Sequence, residues 1–199
     1  MRFLLPIALL FAGACASTPT PVRDSEPARW RAQAERVTIV RDNWGIAHVR
    51  GKTDADAVFG MIYAQAEDDF NRVETNYLTA LGRTAEAEGE KAIWSDLRAK
   101  LYMDPDDLRA RYESSPAWLK RLMDAWADGL NPYLAAHPEV RPRVISRLEP
   151  WMALSFSEGS IGGDIERIDL AALEAFYSKR GKALAAAAPR DRELGGSNG

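Results

Sequence analysis

Val37-Thr38-Ile39-Val40-Arg41-Asp42-Asn43-Trp44-Gly45-Ile46-Ala47-His48-Val49-Arg50 is the stretch whose reading decides the fold. Val37 to Arg41 alternates and is rich in β-branched side chains, which predicts a strand. Asp42-Asn43-Trp44-Gly45 is turn chemistry: Asp and Asn bond their own backbone, and Gly tolerates a left-handed conformation. Ile46 to Arg50 then predicts the returning strand of a hairpin. Gly51-Lys52 breaks it, and Thr53 with Asp56 three residues on predicts a capped helix start. Apolar residues follow at Ala55, Val58, Phe59, Ile62, Tyr63 and Ala66, and again at Phe70, Val73, Tyr77, Leu78 and Leu81, until Gly82. Between these phases lies Glu67-Asp68-Asp69. A solvated helix start or bend, favoured by the helix dipole, suits it better than a carboxylate pair for acid–base chemistry.

Toward the C-terminus the pattern stays helical. Thr84 to Lys100 carries Ile93, Trp94, Leu97 and Leu101 at helical spacing. Asp104-Pro105 pairs a cap with proline at the first helical position, and Ser115-Pro116 repeats that device. Trp118, Leu122, Ala125, Trp126, Leu130, Tyr133 and Leu134 predict a long amphipathic helix ending at His137-Pro138. A further helix starts at Glu149 and runs to Phe156, where Gly159-Ser160-Ile161-Gly162-Gly163 interrupts it. Asp164 to Asp169 opens another, with Ile165, Ile168, Ala172 and Phe176 on one face. A glycine break of this kind either lines a space that a ligand approaches or forms an ordinary corner.

The totals set bounds. The chain has 199 residues, 46% of them hydrophobic and 28% charged, as in an ordinary globular protein. A formal charge of -3 and singly scattered arginines argue against a nucleic-acid partner. Two histidines and one cysteine exclude a His/Cys metal cluster and an intrachain disulfide. Residues 1–16 read as a secretory signal: Met1-Arg2 is positive, Phe3 to Ala12 apolar, and Ala12 to Ala16 small. Cys15 stands where a lipoprotein signal places its lipidated cysteine, and cleavage after Ala16 is the alternative. Either reading implies export, with a periplasmic or lipid-anchored product. Residues 17–36, with Pro19, Pro21 and Pro27, read as a polar tether.

Arg41-Asp42-x-x-Gly45-Ile46-x-His48-Val49, Thr53, Asp56-Ala57 and Gly60-x-x-Tyr63-Ala64-Gln65-Ala66-x-Asp68 together resemble the opening of the α-chain in the penicillin acylase family of N-terminal-nucleophile hydrolases. Two departures occur: Ala47 stands where the family usually has Pro before the His, and Asp69-Phe70 where an Arg commonly follows the Asp. The resemblance implies an α+β class with a four-layer αββα architecture in the complete protein, of which this chain is a mainly helical piece with a short hairpin. It implies that 37–180 is the α-chain, 181–196 a spacer trimmed on maturation, and 197–199 the start of a β-chain. His48 is expected to be a packed, hydrogen-bonded strand residue and not a general base. By the same resemblance Phe156, Gly159 and Ser160 would face the acyl group, and Glu166 would contribute one ligand to a structural calcium. Calcium takes several hard oxygen ligands, so the others would come from the β-chain. Gly159 stands where β-lactam-cleaving members carry an Arg.

Gly196-Ser197-Asn198 matches the cleavage junction of that family. A serine hydroxyl needs a base, and a free α-amine on the same residue supplies one with a pKa of about 7.7–8.0, near neutrality. The amine exists only after the Gly196–Ser197 bond breaks, which explains a precursor. Ser197 is therefore the expected nucleophile, acting on the amide bond of an N-acylated small molecule such as a β-lactam antibiotic. An N-acyl-homoserine-lactone acylase is the alternative within the class, and a membrane-tethered, non-catalytic helical binding module the alternative outside it.

Overall fold

A computed structural model describes residues 25–155 and 168–178. Helix α1 (Glu26–Ala34) leads into strands β1 (Val37–Arg41) and β2 (Ala47–Gly51), then the long α2 (Asp54–Ala80). Short helices α3 (Thr84–Glu88), α4 (Ile93–Lys100) and α5 (Pro105–Ser114) precede α6 (Ala117–Ala136), a 3-10 turn (Pro150–Ser155) and α7 (Leu170–Tyr177). The hairpin is antiparallel, with Ile39 opposite Val49 and Val40 opposite His48.

The local signals were obeyed where chemistry was explicit. Thr53 caps α2 by accepting from Asp56 N, and Asp104 caps α5 by accepting from Asp106 N. α2 kinks at Asp69, which leaves helical geometry at φ -165° and ψ 82°. Its carboxylate accepts from Arg72 N at 3.0 Å, so the second half of the helix restarts with its own cap. Glu67 and Asp68, just before the kink, hold Arg41 at 3.1 and 2.8 Å. Arg41 also donates to the carbonyls of Gly45 and Ala64, which fastens the hairpin tip to α2.

α2 and α6 cross at the centre and bury one core. Leu78, Leu130 and Leu148 are fully enclosed, with Phe70, Tyr77, Trp126, Tyr133 and Trp151 around them. Each such side chain contributes about 1.5–3 kcal/mol by leaving water. Two glycines allow the close approaches. A Cβ on Gly60 would meet Val37 Cγ1 at 2.5 Å and Val49 Cγ1 at 2.7 Å, so the hairpin lies directly on α2. A Cβ on Gly129 would sit 2.8 Å from the Phe59 carbonyl, so α6 lies on α2 in the same way.

Several expectations are corrected. Residues 26–34, read as tether, form a helix packed against α2 and α6. Thr84 to Lys100 is not one helix, because Gly89 at φ +80° splits it. Ser115 closes α5, and Pro116 is the N-cap of α6 without a side-chain bond. Trp118 is 58% exposed and lies off the core stripe. His48 is hydrogen-bonded to Asp42 at 3.0 Å, yet its side chain is exposed and not packed. Residues 150–155 wind as a 3-10 turn; α7 runs from Leu170, capped by Asp169, with Leu173 buried and Phe176 exposed, and the helix opening expected at 164–167 lies outside the described residues.

Candidate functional site

Every residue assigned chemistry from the sequence lies outside the described residues: Cys15, Phe156, Gly159, Ser160, Glu166, Gly196 and Ser197. The structure defines instead the frame on either side of residues 156–167. On the upstream side, Glu74 is buried on the core stripe of α2, and its carboxylate accepts three successive backbone amides. Arg143 N lies at 2.8 Å, Val144 N at 2.7 Å and Ile145 N at 2.7 Å. A few residues on, Asn131 of α6 clamps Leu148 from both sides, donating to its carbonyl and accepting from its N–H at 2.9 Å each. Arg109 stacks 4.4 Å over the Trp151 ring, and the Ser155 side chain is fully buried with Oγ donating to Met152 O. The chain therefore reaches residue 155 already anchored in the helical core. On the downstream side α7 packs on α4, and Arg98 reaches the Ile168 carbonyl at 3.5 Å.

The other buried acids are also structural. Asp96 accepts from Thr84 N at 2.8 Å and Ala85 N at 2.7 Å, capping α3 from a neighbouring helix. Asp128 receives Arg29 at 2.8 and 2.7 Å and the Trp30 indole N–H at 2.9 Å, which docks α1 on α6. Asp56 accepts from the Arg36 guanidinium, while its own backbone N–H donates to the capping Thr53 hydroxyl. Burial alone would raise the Asp56 pKa, but the Arg36 hydrogen bonds, the Thr53 contacts and the Arg36 charge outweigh it and hold the carboxyl below its usual 3.8. A depressed pKa contributes stability that is complete above the ordinary value and lost as pH falls through the lowered one. Asp56→Asn is therefore expected to flatten the acid limb of the stability–pH profile below about pH 4, measured by denaturant midpoints. An unchanged acid limb would discount the pair.

Among the described residues, no three His, Cys, Asp or Glu side chains gather to hold a metal. No helix among them is long and apolar enough to cross a membrane. A groove of about 670 Å³ runs between α1, β1, α2 and the end of α6, with Trp30, Ala34, Ile39, Phe59, Tyr63 and Ala135 among its apolar lining. A second recess of about 830 Å³, beside Arg29, Arg36, Asp56 and Asp128, is polar, and those four charges are already paired with one another.

Reasoning from sequence missed Glu74, Asp96, Asn131 and Asp128. Glu74 did carry a signal: it stands four residues after Phe70 and four before Leu78, on the apolar stripe, where an acid persists only if satisfied.

The family model described as penicillin amidase matches residues 36–199. A penicillin acylase 2 proenzyme from a Pseudomonas species is 31% identical over 100 residues, covering 50% of this chain and 13% of that protein. An acyl-homoserine lactone acylase, QuiP, from Pseudomonas fluorescens is 32% identical over 143 residues, covering 68% of this chain and 17% of that protein. The chain thus spans well under a fifth of these relatives. In fold it is similar to a thermostable penicillin G acylase from Alcaligenes faecalis, with a TM-score of 0.57 at 19% identity, covering 81% of this chain and 95% of that one.

Proposed function

This chain belongs to the penicillin amidase family, and on that premise we propose that it is part of a precursor maturing into an acylase that hydrolyses the amide bond of an N-acylated small molecule. The observation that carries the reading is the family match itself, which runs through Gly196-Ser197 to residue 199. In this reading 37–180 form the α-chain, 181–196 the spacer, and Ser197 opens a β-chain, the partner with which it builds a four-layer αββα protein. The name proenzyme, carried by one relative, supports a two-chain product.

Cleavage before Ser197 frees its α-amine. That amine takes the proton of its own Oγ, which attacks the amide carbonyl. The leaving amine departs, and water then releases the acid from the acyl-enzyme. The oxyanion needs preorganised donors, and these belong to the rest of the polypeptide. In the same reading Phe156, Gly159 and Ser160 face the acyl group, Glu166 would contribute one ligand to a structural calcium, and the chain is exported, with lipid at Cys15.

Mass spectrometry and N-terminal sequencing of full-length protein are expected to find a chain beginning at Ser197, and an uncleaved active enzyme would overturn the reading. Relatives named for penicillin and for acyl-homoserine lactones both match, so β-lactam amides and N-acyl-homoserine lactones are assayed side by side. Hydrolysis of neither would leave the non-catalytic module standing.

A further inference from the structure

We propose that α1 is a brace for the wall of the acyl pocket, and that Glu26 is the positioning residue through which it acts, by gripping Arg147. The family match begins at residue 36 and α1 ends at Ala34, so this helix stands ahead of the part shared with the family. A helix of nine residues does not hold in water by itself. α1 is ordered by what it touches, and it touches three places. Arg29 makes two hydrogen bonds to Asp128 of α6, at 2.8 and 2.7 Å, and the Trp30 indole N–H donates to the same carboxylate at 2.9 Å. Arg36, just past the helix, donates to Asp56 at the start of α2. Glu26, in the first turn, accepts from both Nη atoms of Arg147, at 3.2 and 2.5 Å, and lies 3.7 Å from Arg29 Nη2. Asp128, Arg29, Glu26 and Arg147 thus alternate in sign along a row that runs from α6, across α1, to the loop after α6.

That loop depends on side chains from elsewhere. Residues 137–149 contain no helix or strand, so no regular backbone ladder fixes them. Glu74 takes 143–145 and Asn131 takes Leu148. Asn131 and Asp128 stand three residues apart on α6 and share a face. α6 therefore reaches residue 148 directly through Asn131, and residue 147 indirectly through α1. From there the chain enters the 3-10 turn at Pro150–Ser155 and continues to 156–160. The Glu26 and Arg147 side chains are 36% and 58% exposed, so solvent screens their attraction and simple deletion has a small effect. Charge reversal replaces attraction with repulsion and is the sharper probe.

The inference rests on the proposed acylase, in which residues 156–160 face the acyl group. Glu26→Lys, Arg147→Glu and the double swap are made in full-length protein. KM and kcat are then measured on amides of one amine with acyl groups from acetyl to dodecanoyl. Each single reversal is expected to raise KM about threefold to tenfold, most for the longest acyl groups, while kcat per active site falls less. The double swap restores an opposite-charge pair and should recover most of that change. A purely structural loss lowers the amount of active enzyme and leaves KM alone. An unchanged KM in both singles, an equal shift for every acyl length, or a double swap worse than either single overturns the proposal. Hydrogen exchange needs no substrate and separates this failure from that of the acylase. Glu26→Lys should speed the Leu148 and Met152 amides, bonded to Asn131 Oδ1 and Glu149 O, about threefold or more, while Leu78 in α2 keeps its rate. Unchanged exchange at 148 and 152, or equal acceleration everywhere, removes the brace. Loosened amides in a protein whose parent hydrolyses no amide leave the brace standing and remove the acylase.

Discussion

Full-length polypeptide carrying Ser197→Ala is expected to stay in one piece and to lose amide hydrolysis by about ten-thousandfold to a millionfold, the usual cost of deleting a nucleophile. In the proposed reading two losses coincide because one hydroxyl is asked to do two things: it attacks the preceding carbonyl to move the chain from nitrogen to oxygen, and afterwards it attacks the substrate. In the same reading Gly196 assists the first step, since a residue without Cβ reaches the strained backbone that the acyl shift needs. Ser197→Cys should still be cut, because a thiol can accept the acyl group, and that result separates lost chemistry from lost folding. An Ala variant that splits and hydrolyses like the parent would refute the assignment.

Glu74→Ala is expected to have the largest effect on stability. Its carboxylate is the acceptor for Arg143, Val144 and Ile145 amides, and it is 1% exposed. Truncation strands three donors beside a core that admits little water, at a cost of about 1–3 kcal/mol for each unmade bond before relaxation. A net loss of about 3–5 kcal/mol follows, in line with breaking a buried charged contact. Glu74→Gln keeps the Oε1 acceptor used by Val144 and Ile145 and gives up only the Arg143 bond, so it should cost about 1–2 kcal/mol. Denaturant midpoints of the two variants, at unchanged slope, test the ordering. Equal and small shifts, under about 1 kcal/mol, would show that residues 143–145 are held by something else.

The consequence for activity is positional. Glu74 and Asn131 fix residues 143–148, and Ser155 ends that anchored run. Loss of the anchor removes the frame from which the following residues, including those proposed to face the acyl group, must start.

Much of this frame was readable from neighbours in the chain. The alternation from Val37 to Arg41, the Asp42–Gly45 turn, the Thr53 and Asp104 caps and the two phases of α2 depend on contacts within a few residues, and the structure carries all of them. Composition misled at α1, because three prolines and scattered charge look like a tether. What orders α1 is Asp128, 99 residues from Arg29 and 98 from Trp30. Nothing local to residues 26–34 encodes that acceptor. The same limit explains Asp96, which caps α3 from another helix, and Trp118, whose spacing fits the stripe while its side chain faces solvent.

Spacing along the chain was enough for the hairpin and for α2, α5 and α6, because turns, caps and amphipathic periods are short-range physics, while the family came from the resemblance carried by the Arg41 box and the Ser197 junction. Which acids are buried, and which backbone amides they bind, emerged only in three dimensions. A buried carboxylate survives by meeting donors brought from distant residues, and those meetings exist only once α2 and α6 have packed.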